Sequence, residues 1–204
     1  MAEANANSRL EAFCDGVFAI ALTLLVIDVK LPATEVIASN ADFWRALQHL
    51  GPKVFAFLLS FVVILISWTN HHSFLKLVNK SSGSFIYANG ILLLTVAFFP
   101  FPTSLLGEFL FSEHAAPAVV LYNAVAAAQA IGWVLMGRSA LRNRLTRDEH
   151  ATALMRINMK NGYYAVVLYS ALSILAFWLP LAVAAVTTLS WIFWLVLGIR
   201  MKHE

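Results

Sequence analysis

The sequence predicts an all-α membrane protein with six transmembrane helices and no separate soluble domain. Hydrophobic residues make up 60% of the 204 residues and charged residues only 12%, whereas soluble domains carry about 25% charged residues. The apolar residues gather in long segments that lack the alternation typical of a transmembrane β-barrel. Cys14 is the single cysteine, so no disulfide forms within the chain. No basic run with interleaved aromatic residues indicates nucleic-acid binding.

Six apolar segments define the predicted helices, which we treat as one domain over residues 1–204. The first four helices cover about residues 9–30, 52–76, 84–107 and 114–137, and "FPFP" interrupts the third near its end. The apolar stretch from about residue 160 to 200 is too long for one crossing of a bilayer core of roughly 30 Å. Proline lacks a backbone N–H and ends a helix, so Pro180 divides this stretch into helices 160–179 and 181–200.

Two connections are long enough to hold structure of their own. Residues 137–161 form the largest polar connection, in which we expect a short cytoplasmic helix or loop. Residues 32–51 form an outer loop, where "FWRALQHL" predicts a short interfacial helix with Trp44 at headgroup level.

The distribution of Lys and Arg predicts the orientation. Six crossings place both termini on one side of the membrane, and the cytoplasmic side collects the positive charges. Eleven of the 14 Lys and Arg residues fall on the side with the termini: Arg9, Lys76, Lys80, Arg138, Arg142, Arg144, Arg147, Arg156, Lys160, Arg200 and Lys202. The other side holds Lys30, Arg45 and Lys53. We therefore expect a multi-pass protein of the cell membrane with both termini cytoplasmic.

The first segment carries two carboxylates at the ends of a short apolar run. Asp15 and Asp28 flank residues 16–27, which as a helix span about 18 Å. Charged residues of both signs precede the run and no small-residue cleavage site follows it, so we expect a retained helix rather than a signal peptide. Crossing the bilayer core then brings Asp15 into or near the membrane, where an ionisable residue needs a partner.

Several polar residues share the depth of Asp15. The inner end of the first helix holds Arg9, Phe13 and Asp15. The inner ends of the next two helices hold Trp68, Asn70, His71 and His72 in "SWTNHHSF", and Tyr87 and Asn89. We hypothesise a polar network within the subunit that joins Asp15 to Trp68, Asn70, His71 or His72, and Arg9, with Phe13 and Asn89 beside them. The alternative is that Asp15 sits at the headgroup boundary. Adjacent helical residues point about 100° apart, so the two histidines are poorly placed to bind one metal ion, and we expect no metal.

The helical wheel separates Asp15 from an aliphatic stripe. At about 100° per residue, Ile20, Leu24 and Ile27 fall within roughly 60° of one another, with Thr23 at the edge. Asp15 lies about 140° from Ile20. If Asp15 faces helices of its own subunit, the stripe faces lipid, a subunit interface or a pore. Taken alone, the pattern favours lipid or an interface.

The first half of the chain resembles a known family. "RLEAFCDGVFAIALTLLVIDVKLP" is similar to the first-helix signature of the transmembrane protein 175 potassium-channel family in its prokaryotic form. The family pattern of Arg, three residues and Phe-Ser-Asp matches Arg9, Phe13, Cys14 and Asp15, with Cys14 in place of Ser. "WTNHHSF" and "ANGILLLTVAFFPFPTSLL" are similar to the second and third helices of the family.

The resemblance implies a channel for potassium ions, with no cofactor, that assembles as a homotetramer in the lipid bilayer. The first helix of each subunit would line the pore. Ile20, Leu24 and Ile27 would form the constriction, and Thr23 would match a hydroxyl layer linked to ion preference. The polar network of the family would match Arg9, Asp15, Trp68, His71 and Asn89.

Two other function classes remain open from the residues. A proton-coupled secondary transporter would use Asp15 and His71 or His72 as a relay, although no paired halves with broken helices are visible. An intramembrane enzyme would need a nucleophile and base, or a metal constellation, at one depth. Only the His71–His72 region comes near that requirement, so we expect a protein that is not an enzyme.

Overall fold

The computed structural model describes residues 7–31 and 37–200, with side chains as far as residue 196. This part of the chain is built of α-helices. They are α1 (Ser8–Leu24), α2 (Asn40–His49), α3 (Gly51–Leu75), α4 (Gly83–Phe98), α5 (Pro100–Phe109), α6 (Ala115–Arg142), α7 (Glu149–Leu175) and α8 (Pro180–Arg200). A 3₁₀ turn, Leu25–Asp28, continues α1.

Side-chain caps fix the start of three helices. Ser39 Oγ accepts a hydrogen bond from Asp42 N at 3.2 Å before α2. Ser82 Oγ accepts from Phe85 N at 3.3 Å before α4, and Asp148 Oδ1 accepts from Ala151 N at 2.7 Å before α7. A cap of this kind satisfies a backbone N–H that has no partner within the helix.

The connection between α6 and α7 corrects the expectation for residues 137–161. In place of a separate short helix or a long loop, α6 continues to Arg142 and α7 begins at Glu149. Only residues 143–148 link the two helices. The physical reason is that this polar stretch is rich in Ala, Leu, Met and Arg, which are good helix formers, and that Asp148 caps the second helix. Both helices therefore extend beyond their apolar portions.

The other irregular points lie at prolines and in the outer loop. α4 ends at Phe98 and α5 begins at Pro100, within "FPFP". α7 ends at Leu175 and α8 begins at Pro180. "FWRALQHL" lies in and just after α2. Residues 32–36 of the outer loop, the side chain of Arg200 and all of Lys202 lie outside the described residues.

The described helices and their apolar stretches confirm the predicted all-α membrane class. Within the described part of the chain, four helical stretches are long and apolar enough to cross a membrane: Ser8–Asp28, Gly51–Leu75, Gly83–Phe109 and Ala115–Arg142. A shorter apolar helix covers Pro180–Val196. α7 is 27 residues long, but its first half carries charged residues.

α6 forms the centre of the bundle. Fifteen of its 28 residues are buried, and it packs against α4, α5, α7 and α8, while α1 packs against α3 and α4. The contact of α6 with α4 is a close backbone approach. A Cβ added at Gly132 would lie 2.9 Å from Leu92 Cα. Small residues permit such an approach in membrane bundles, where tight packing holds helices together.

We expect Gly132→Ala to lower the unfolding midpoint, because the new methyl group would push α4 away from α6 and cost about 1–3 kcal/mol. Thermal unfolding of the purified protein in detergent, followed by tryptophan fluorescence, measures the change. Gly90→Ala on α4 is the control, since a Cβ there meets nothing within 4 Å. Equal midpoints for the two variants would contradict the close approach.

Candidate functional site

α1 has one buried face and one exposed face. Cys14, Phe18, Ala21 and Leu25 follow one another at spacings of three and four residues and are 0–2% exposed. This spacing places them on one side of a helix. The buried face packs against α3 and α4, so α1 is held to the chain along this side.

The opposite side carries the residues that the sequence singled out. Ile20 is 61% exposed, Leu24 39% and Ile27 51%, and Thr23 between them is also exposed. We call these four residues the α1 stripe. One turn before Ile20, Gly16 lies on the same side, and a Cβ added there would meet no atom within 4 Å. The structure thus leaves the stripe without contacts that would bury it within the chain.

The hydroxyl of Thr23 is turned towards its own helix. Thr23 Oγ1 lies 3.1 Å from Ala19 O and 2.9 Å from Ile20 O, so its hydrogen is donated to the backbone. A hydroxyl oxygen also has acceptor lone pairs. Because the hydrogen is engaged, Thr23 presents an acceptor, and not a donor, to whatever lies beside the stripe.

The carboxylate of Asp15 pairs with α3. Trp68 Nε1 donates a hydrogen bond to Asp15 Oδ1 at 2.9 Å, and the Trp68 ring stacks on His72 with centroids 6.4 Å apart. Asp15 lies seven residues after Ser8, which is about 10 Å along the helix. The contact therefore ties α1 to α3 about two turns after the start of α1.

Next to this contact, a second series of polar contacts joins α1, α3 and α4. Asn89 Nδ2 of α4 donates to Cys14 Sγ of α1 at 3.1 Å, and Asn89 Oδ1 lies 2.8 Å from His71 Nε2 of α3. An amide oxygen only accepts, so His71 donates through Nε2. Cys14 therefore serves as the acceptor at the end of this series of hydrogen bonds. His71 is 1% exposed and packs against the rings of Phe18 and Trp133.

These contacts correct the expectation of a single network. No direct hydrogen bond or ion pair joins Asp15 to His71, Asn70 or Arg9 among the described residues, and Asn70 and Arg9 are exposed. The reason is that Cys14 and Asp15 are adjacent and point about 100° apart, so each meets a different partner.

The remaining two residues expected in the network, Phe13 and His72, form no hydrogen bond with Asp15 among the described residues. Phe13 is 63% exposed and lies on the same side of α1 as the stripe, away from Asn89 and His71. His72 is exposed and takes part only through its stacking on Trp68.

The structure also shows a hydroxyl cluster that sequence reasoning missed. Thr103 Oγ1 of α5 donates to Ser60 Oγ of α3 at 2.7 Å, and Ser60 Oγ lies 3.0 Å from Tyr122 OH of α6. All three side chains are buried. The only available signal was the presence of hydroxyls in apolar segments. The cluster satisfies buried polar groups between helices and binds α3, α5 and α6 together.

Comparison with known proteins identifies the family. The family model described as the endosomal/lysosomal potassium channel TMEM175 matches residues 9–100. A potassium channel of Chamaesiphon minutus is 37% identical over 190 residues, which cover 90% of this chain and 92% of that protein. The chain belongs to the TMEM175 family. The resemblance stated from the sequence is therefore confirmed, and this TMEM175 family member is an ion channel rather than an enzyme.

Two further comparisons bear on the fold and on the permeant ion. The crystal structure of a lysosomal potassium-selective channel TMEM175 homologue from Chamaesiphon minutus superposes with a TM-score of 0.82 at 34% identity, covering 94% of this chain and 97% of that chain. The endosomal/lysosomal proton channel TMEM175 of Danio rerio is 40% identical over 81 residues, which cover 37% of this chain and 16% of that protein.

We expect the Asp15–Trp68 contact to stabilise the TMEM175 subunit. Asp15→Ala and Trp68→Phe each remove the hydrogen bond, and a double-mutant cycle on the unfolding free energy should give a coupling of about 1 kcal/mol. Asp15→Asn is the matched control because its amide oxygen still accepts from Trp68. Strictly additive effects of the two substitutions would contradict an energetic role for the contact.

Proposed function

We propose that this TMEM175 family member is a potassium-selective channel whose central pore is lined by α1 from four identical subunits. The observation that carries the proposal is the α1 stripe. Its aliphatic side chains are exposed on the face opposite to the packing face, while Asp15 is turned to its own subunit. The name of the Chamaesiphon minutus relative as a potassium channel supports the choice of ion.

The proposal includes the topology expected from the sequence. The four long apolar stretches, together with the apolar parts of α7 and α8, give six crossings. An even number of crossings places both termini on one side, and the positive-inside rule assigns that side to the cytoplasm of the cell. Four copies closing around α1 would cover the stripe, which a single chain leaves exposed.

An aliphatic constriction sets the mechanism. Rings of Ile20, Leu24 and Ile27 offer no oxygen atoms, so they cannot replace the hydration shell of a cation as a carbonyl filter does. Such a constriction conducts while it stays wet and closes by dewetting. Potassium would therefore pass largely hydrated, and the selectivity over sodium would be weaker than that of a carbonyl filter. Thr23 would supply the one acceptor within the constriction.

The experiment that tests the function is reconstitution of the purified protein in planar bilayers under potassium and sodium gradients. For a potassium-selective channel, we expect a reversal potential that follows the potassium gradient. A reversal potential that follows an imposed pH gradient instead would indicate proton conduction, and a pH-driven flux that saturates with substrate would favour the proton-coupled transporter that uses Asp15 and His71 or His72. The proton-channel name of the Danio rerio relative is the reason to include this measurement.

The arrangement of the polar residues gives the proton-coupled alternative little support. His71 bonds to Asn89, and an amide does not titrate. Asp15 bonds to Trp68, whose indole N–H donates but does not accept a proton. Membership of a channel family also offers no support for a secondary transporter.

We expect Ile20→Asn to increase the open probability and the sodium leak, because a polar ring resists dewetting. Ile20→Ala should raise the unitary conductance by widening the same ring. Single-channel recording measures both effects. Ile174→Ala is the matched control, since Ile174 on α7 is also 61% exposed but lies off the stripe. Parental conductance and selectivity in both Ile20 variants would contradict the proposed constriction.

We expect Thr23→Val to reduce the preference for potassium over sodium severalfold, because valine keeps the shape of threonine and removes the acceptor. The ratio of permeabilities from bi-ionic reversal potentials checks this. Thr188→Val is the control, because the Thr188 hydroxyl on α8 also donates to its own helix, at 2.8 Å from Ala184 O. An unchanged permeability ratio in Thr23→Val would rule out a role for the hydroxyl.

A further inference from the structure

Two loops at one end of the bundle are joined by backbone hydrogen bonds. Residues 76–82 connect α3 to α4, and residues 143–148 connect α6 to α7. Asn79 N donates to Leu145 O at 2.9 Å, and Arg147 N donates to Leu77 O at 2.9 Å. Val78 forms an antiparallel bridge with Thr146 between them. We call residues 76–82 and 143–148 the paired loops.

The second of the paired loops begins with a strained residue. Arg144 has a φ of 52°, in the left-handed region that favours glycine. It stands directly after the C-cap of α6, where Arg144 N donates to Leu141 O at 3.2 Å and Leu145 N donates to Ala140 O at 3.0 Å. This is a Schellman motif, whose usual residue at this position is Gly. The backbone conformation at this position favours glycine, so it does not explain the presence of an arginine.

The paired loops bring cations from different helices together. Lys80 follows Asn79 and Arg144 precedes Leu145, so the hydrogen bond between Asn79 and Leu145 places the two cationic residues side by side along the backbone. The hydrogen bond between Arg147 and Leu77 brings Arg147 near Lys76, although the register sets Lys76 itself opposite Asp148. These four side chains are exposed. Arg138 and Arg142, in the last turns of α6, are exposed as well.

No ion pair neutralises this charge among the described residues. The ion pairs found there involve Arg45, Lys53 and His114 and none of the six cations. The nearest carboxylate in the chain, Asp148, accepts the capping hydrogen bond from Ala151 N, and Glu149 follows it in the first turn of α7. Six cations stand against these two carboxylates, so the surface carries a net positive charge. Such a surface attracts an anion.

The paired loops are also bonded to the start of α1. Asn7 is 1% exposed, and its Nδ2 donates to Val78 O at 3.2 Å. The carbonyl of Asn7 accepts from Glu11 N at 2.9 Å in the first turn of α1. Val78 thus lies between the bridge to Thr146 and the contact with Asn7, which connects the cationic surface directly to the helix that bears the stripe.

We propose that the paired loops form a binding site for anionic phospholipid headgroups, and that occupancy of this site acts on α1 through the Val78–Asn7 contact. Arg and Lys are the residues that bind phosphate oxygens, and basic clusters next to a membrane helix attract anionic lipids. A lipid source is favoured over a soluble phosphate because the loops follow α3 and α6, two helices that are long and apolar enough to cross a membrane.

The test of binding compares two lipids on the full chain in detergent. Thermal unfolding is followed while phosphatidylglycerol or phosphatidylcholine is added, with inorganic phosphate as a third addition. We expect phosphatidylglycerol to raise the midpoint several degrees more than phosphatidylcholine, and inorganic phosphate to have little effect. In the double variant Lys80→Gln with Arg144→Gly, the extra rise in the unfolding midpoint caused by phosphatidylglycerol should fall by at least half. Glycine relieves the strained backbone, so the double variant should fold as well as the parent without lipid.

The control removes the same charge from a nearby element. Arg156→Gln with Lys160→Gln neutralises two exposed cations of α7 outside the paired loops and should keep the full phosphatidylglycerol effect. An equal loss in the two double variants, or equal effects of the two lipids on the parent, would overturn the site. An equal response to inorganic phosphate would overturn the assignment to a lipid.

The coupling to α1 is tested by flux, and this arm rests on the proposed function. In proteoliposomes we expect potassium flux to change at least twofold with the fraction of phosphatidylglycerol. Asn7→Ala should keep the thermal response to the lipid and lose its effect on flux. A lipid-dependent flux that persists in Asn7→Ala would overturn the coupling. Absence of any potassium flux would refute the proposed function and leave the binding result standing, so the two failures are distinguishable.

Discussion

The structure depends on how α1 is attached. This helix packs along one face, and its N-terminal half is fixed to its own subunit by the Asp15–Trp68 bond and by the hydrogen bonds that link Cys14, Asn89 and His71. Each bond satisfies a polar group that would be costly to leave unpaired next to lipid. Because these bonds set the rotation of α1 about its axis, they also determine that the stripe points away from the subunit.

The rest of the bundle provides a rigid support for that attachment. α6 lies in the middle, and the close approach of Gly132 to Leu92 brings its backbone against α4. The hydroxyls of Ser60, Thr103 and Tyr122 bind α3 and α5 to the same helix. α3 and α4, on which α1 rests, are therefore both held to α6. The second half of the chain, which carries no recognisable motif, contributes through this central helix.

The sequence was sufficient for some features and insufficient for others. The apolar segments and the breaks at proline follow from local composition, and the separation of Asp15 from the stripe follows from helical periodicity; all of these are local properties. The partners of Asp15 are not local, because Trp68, His71 and Asn89 lie within reach at one depth and only packing decides among them. The length of α6 and α7 was missed because polarity was taken to end a helix, whereas the cap at Asp148 marks the true start of α7.

The position of Gly16 has a consequence for the shape of a closed assembly. It lies on the exposed side of α1, one turn before Ile20, and has no side chain to project from it. Copies of α1 arranged around an axis would enclose a funnel that is wider at Gly16 than at Ile20. Water would fill the wider layer at Gly16, so a cation could keep its hydration shell there, between the exposed ring of Phe13 one turn earlier and the aliphatic side chains of the stripe.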